Sequence, residues 1–224
     1  MKHLLIILSL IVLGLAPISS FAQRTKVPEV TVEGLELVPH VENLAYVWAE
    51  PGADLSQYNR VLLAQPYVAF KKHWKRKQND IGARVTNADM NRIKESATEM
   101  FMLVFTEELE KSGYVLTDER AEDVLLVKPA IIDLDVNAPN VLDAGINRTY
   151  TSSAGSLTLY MELFDSETDD LIAKAMDSKS DRTSAGVMSW KSGPANQQVG
   201  MDLMRPWAVA LVKGLDRSRS STKQ

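Results

Sequence analysis

Between Ser156 and Asp165 the chain alternates strictly: Leu157, Leu159, Met161 and Leu163 fall on one side, Thr158, Tyr160 and Glu162 on the other. A period of two predicts a strand with one face buried. SETDD, 166–170, is turn chemistry, and LIAKAMDSKSD returns as its antiparallel partner. Upstream, VLLVKPAIIDLDV, 124–136, predicts a longer strand. Its first half is apolar on both faces. In its second half Ala130, Ile132, Leu134 and Val136 point one way, Asp133 and Asp135 the other. Pro129 inside it suggests a bulge or a local edge. Val61 to Ala64 is a continuous apolar run, which suits a central strand buried on both faces, and Pro66 ends regular pairing there. Leu35–Val38 and Leu44–Trp48 are short extended segments, and EPGADLSQY, 50–58, is a turn.

A different period governs the stretch from about Ala88 to Ser112. Met90, Ile93, Ala97, Met100, Phe101, Val104, Phe105 and Leu109 recur at three- and four-residue steps, the mark of an amphipathic helix. Thr86 or Asn87 is its N-cap, Asp89 suits the first turn, and Gly113 suits a left-handed C-terminal cap. Tyr114–Leu116 begins a strand at once. A second helix spans about Val199 to Ser218, with Trp207, Ala208, Leu211, Val212 and Leu215 on one face. Pro206 either kinks it or opens its main part. The order implies an α/β (α+β) two-layer domain. It has a mixed sheet of about five strands with both main helices on one face, one parallel pair linked by the long helix, and a later meander.

Composition adds an address. Met1-Lys2-His3 is a positive start, Leu4 to Leu15 is an apolar run, and Ser20-Phe21-Ala22 offers small residues for cleavage. The run fits a signal peptide and is shorter than the roughly 20 residues of a membrane span. Cleavage is expected after Ala22. That leaves a flexible segment 23–34, a single domain 35–218 and a disordered tail 219–224. Cysteine is absent, which excludes disulfides, thiolate chemistry and lipidation at a cysteine. Hydrophobic content of 45% and charged content of 24% are those of a globular domain held by its core alone. The expected location is therefore the periplasm, with no transmembrane segment after cleavage.

Five of the eight residues of KKHWKRKQ, 71–78, are Lys or Arg, with Trp74 among them. Such a mixture suits phosphate gripping and base stacking. The formal net charge of −4 argues against nucleic acid as the partner. Trp74, four residues after Phe70, most simply covers the end of the core. Lys71 and Arg76 then stand as candidates for an anionic surface or cell-wall polymer. In the long loop 137–155, Arg148 and Tyr150 place a planar cation beside an aromatic ring, both common at interface centres. Alternatively, this arm pairs onto the sheet edge.

Catalytic signals are thin. His40 and His73 stand alone, so no metal site is expected. Ser152, Ser153, Ser156 and Ser184 lie in no nucleophile motif, and no Gly-rich loop cradles a cofactor, so none is expected. Asp133 and Asp135, with Asp143 nearby, could serve a hydrolase of an envelope polymer. The plainer reading is the solvated face of a strand.

Several stretches together resemble the Domain of Unknown Function 3313 family: PGADLSQYNRVLL, VAFKKHWKRKQN, VKPAIIDLDVNAP, AGINRTYTSSAGSLTL and the Trp207-Ala208 helix. The likeness runs over about residues 34 to 216. It implies an exported Gram-negative envelope protein, of a kind often lipidated, and no defined activity. This chain departs in lacking the lipobox cysteine, and in having Asp169-Asp170 where the hairpin turn commonly carries Gly. Asp tolerates the left-handed conformation better than most residues. The combined expectation is a soluble, non-enzymatic periplasmic accessory protein that binds another envelope component.

Overall fold

The computed structural model describes residues 27–80, 82–136, 155–180 and 194–221. Its strands are β1 (Glu36–Leu37), β2 (Tyr46–Ala49), β3 (Arg60–Leu63), β4 (Tyr67–Phe70), β5 (Val115–Leu116), β6 (Val124–Asp135), β7 (Ser156–Asp165) and β8 (Leu171–Ser180). Its helices are α1 (Trp74–Asp80), α2 (Asn87–Lys111) and α3 (Pro194–Ser221). The class is the expected mixed α+β, but the sheet has eight strands among the described residues, where the sequence suggested about five. The extra ones are short. The two-residue β1 and β5 fall within segments read as extended, whereas the four-residue β4, held by β6 far along the chain, leaves no period of its own.

The sheet runs β1-β2-β8-β7-β6-β3-β5, with β4 also pairing to β6. The meander β6-β7-β8 is antiparallel; β3 and β4 both run parallel to β6. β3 lines up against Val124–Val127 and β4 against Ala130–Leu134. Pro129 sits between these two pairings and keeps its register opposite Met161 on β7. A residue without an N–H is best tolerated at such a break.

The bulge expected at Pro129 lies four residues later. Asp133 adopts φ 52°, and the pairing shifts between Ile132 and Asp135. One extra residue reverses which side chains face inward. Ile131, not Ile132, therefore joins Leu134 and Val136 in the core. Asp133 is exposed and Asp135 half-buried, so the two aspartates do not share one face as the alternation suggested. β3 also differs from expectation: only Val61 is fully buried, because its outer neighbour β5 is two residues long.

One face of the sheet carries the core. Leu125, Val127, Ile131, Leu159, Met161 and Ala175 pack there with α2 and α3. α2 contributes Ile93, Ala97, Phe101, Val104, Phe105 and Leu109, with Phe101 stacked on Phe105 at 3.9 Å. Thr86 caps it in a reciprocal box with Asp89, and Gly113 follows its C-cap at φ 83°. α3 begins earlier than its period suggested and contains Pro206. Its buried Trp207 donates Nε1–H to Asp177 Oδ2 at 2.7 Å.

Both ends of the described chain are tied to the sheet. At the start, Val30 bridges Glu36, and Trp48 donates Nε1–H to the Pro28 carbonyl at 2.9 Å. At the end, Arg219 lies 4.0 Å over the Tyr114 ring and donates to Asn59 Oδ1 at 3.1 Å. No helix among the described residues is long and apolar enough to cross a membrane.

Candidate functional site

The strip KKHWKRKQ forms the turn out of β4 and the body of α1. A helix of this length is too short to stand alone. It is anchored through one face, Trp74 and Gln78, four residues apart and both buried. Trp74 is only 2% exposed and donates Nε1–H to the carbonyl of Val136 at 2.7 Å. Its ring stacks on Phe70 with centroids 4.1 Å apart. The indole therefore offers no free face to a ligand. Its part is to lock the strip onto the end of β6.

Lys71 continues that attachment. Its backbone N–H donates to Leu134 at 3.1 Å, and its ammonium lies 3.3 Å from Asp135 Oδ2. Asp135 is thus the strip's counter-ion. His73 turns the chain with φ 66°, a left-handed residue between the lysines and the helix. Lys75 donates to Asn87 Oδ1 at 2.7 Å, tying α1 to the start of α2. Asn79 Oδ1 accepts from the Val85 N–H at 2.6 Å and closes the connection.

With its buried face fixed, α1 turns its cations outward. Lys72, Arg76 and Lys77 are exposed, and their side chains have no ionic or hydrogen-bond partner among the described residues. Between the strip and α2 runs a groove of about 330 Å³. Phe70 and Met90 contribute apolar surface; Lys71, Lys72, Lys75, Arg76 and Lys94 contribute charge. Among the described residues no Asp or Glu lines it. Met90, read from its period as a core residue, is only half-buried and lines this groove.

The α2 cap beside the groove is itself polarised. The Thr86 hydroxyl, then the Thr86 backbone N–H, then Arg92 hold the Asp89 carboxyl down at about 2. Asp89 is therefore ionised and committed to the cap.

The sequence-derived candidates divide as follows. Lys71, Trp74 and Arg76 come together at this site, with Trp74 as the buried anchor. Arg148, Tyr150 and Asp143 lie outside the described residues, as does most of the loop 137–155. His40, at φ 53°, is not among the groove residues. No group of three or more His, Cys, Asp or Glu among the described residues could hold a metal. Sequence reading missed Lys94. It lies one helical turn after Met90, so the four-residue spacing that marked Met90 would also have placed a cation beside it.

The family model described as Protein of unknown function (DUF3313) matches residues 33–193, which include α1 and the groove. The chain belongs to the DUF3313 family. No curated protein matches it. Among solved structures, a DUF330 protein of Xanthomonas campestris is 14% identical with a TM-score of 0.42, over 78% of this chain and 94% of its own. The PelC dodecamer from Paraburkholderia phytofirmans is 10% identical with a TM-score of 0.36, over 71% and 96%. A DUF4136 protein of Bacteroides thetaiotaomicron is 11% identical with a TM-score of 0.31, over 80% and 94%. Likeness at this level carries no argument about role.

Proposed function

We propose that this DUF3313 protein is a non-enzymatic accessory protein of the bacterial periplasm, which works by holding another envelope component at the α1 strip. One observation carries the reading. A row of cations without partners among the described residues is mounted rigidly, through Trp74, on a chain of net charge −4. Unpaired like charges repel one another and cost stability, so a fold that fixes them side by side gains most when an anionic partner neutralises them. The leader pattern of Lys2, the Leu4–Leu15 run and Ala22 supports export.

The test is crosslinking in living cells followed by recovery of the tagged mature form. Reproducible capture of a component, lost when Lys72 and Arg76 are both changed to Glu, is the expected result. Capture of nothing reproducible overturns the reading. Changing Asp133, which is exposed and makes no ion pair with the strip among the described residues, to Asn should leave capture intact, whereas a hydrolase using it would lose its activity. Fractionation bears on location: a processed chain is expected in the periplasmic fraction, and an uncut one in the cytosol would remove that part.

A further inference from the structure

We infer that the groove between α1 and α2 receives an acidic polypeptide segment of a partner protein, one that carries an apolar side chain between its carboxylates. This rests on the binding-module reading above and names the chemistry of the partner.

Three features converge. The cations come from two elements: Lys72 and Arg76 from the strip, Lys94 from α2. None of these three has a partner among the described residues, and no lining carboxylate offsets them. Between them the surface is apolar, formed by Met90 and by Phe70, whose ring is held by its stack on Trp74. The space, about 330 Å³, is an open, shallow depression with room for an apolar side chain. A nucleic-acid backbone supplies phosphates but no aliphatic or benzyl group. An apolar residue flanked by Glu and Asp satisfies charge, polarity and shape together.

The experiment is a fluorescence-anisotropy titration of the mature full-length protein with a labelled peptide, Glu-Asp-Glu-Phe-Glu-Asp-Glu. Saturable binding is expected, weakened several-fold when the peptide's Phe becomes Ala, and further weakened as salt rises. Changing Arg76 and Lys94 together to Glu should weaken it by about tenfold or more with no fall in the unfolding temperature. A parallel arm uses vesicles of roughly three parts phosphatidylcholine to one part phosphatidylglycerol. Binding of vesicles without the peptide would overturn the inference in favour of a membrane surface. Equal peptide binding by the charge-reversed variant, or none by either form, would also overturn it. If the peptide fails while in-cell capture through the strip succeeds, the binding module stands and only the acidic segment falls. If both fail, both readings fall.

Discussion

Replacing Trp74 by Phe keeps a ring against Phe70 but deletes the donor to Val136, leaving a buried carbonyl without its partner. That change should cost about 1–3 kcal/mol, and Trp74→Ala about 3–5 kcal/mol, measured by urea unfolding. Asp89 gives a second test at this scale. Its carboxyl is depressed to about 2 in the folded state by Thr86 and Arg92. A depressed carboxyl stabilises the fold above its unfolded pKa of about 4, and the contribution is lost as pH falls through the folded value. Thr86→Ala should therefore cost about 1 kcal/mol at neutral pH. The gap from wild type should shrink between about pH 4 and 2, as unfolding at several pH values would show. Both residues were legible in the sequence, one by its spacing from Phe70 and one by its place ahead of a helical period. The unpaired state of Arg76 and Lys94 was not, since it depends on which carboxylates fold nearby.

Elements with a long period were legible as such, and the short β1, β2, β3 and β5 as extended segments, whereas β4 and α1 were not. The β7 alternation and the α2 period each span ten or more residues, enough to identify strand and helix. β4 is four residues after a proline, and α1 is seven residues rich in lysine; only their contacts with β6 and with the core make them elements. The bulge in β6 was misplaced because Pro129 is conspicuous in a sequence and a left-handed Asp is not. Asp133→Gly should be neutral or stabilise by up to about 1 kcal/mol, whereas Asp133→Val should destabilise by about 1–2 kcal/mol, since a branched side chain resists φ 52°. Thermal unfolding of the two variants separates them. In α3, Pro206 removes one backbone donor within the helix. Pro206→Ala should raise stability by about 1–3 kcal/mol by the same measurement, and a loss instead would mean that the proline's ring is needed for packing.

Across the whole molecule, α2 and α3 are bonded as well as packed. Arg205 on α3 reaches Glu108 Oε1 at 2.5 Å and Glu107 Oε2 at 3.2 Å, and Glu108 is buried. Removing Arg205 strands the Glu108 charge. Arg205→Ala should cost about 2–3 kcal/mol, and adding Glu108→Gln should recover part of it, a double-mutant cycle readable by urea unfolding. The sequence could not announce this pair, since the two residues meet only once the helices are side by side. The same holds for sheet order: the β6-β7-β8 meander is local and was expected, whereas β2 docking on β8 joins Tyr46 to Met176.

That long reach bears on how the chain is born. Until Val124 and the residues after it are available, the pairings open to the earlier strands are β1 with β2 and β3 with β5, each two residues in length. Neither can hold against chain entropy alone. The early strands thus stay without lasting partners until the later strands arrive to receive them.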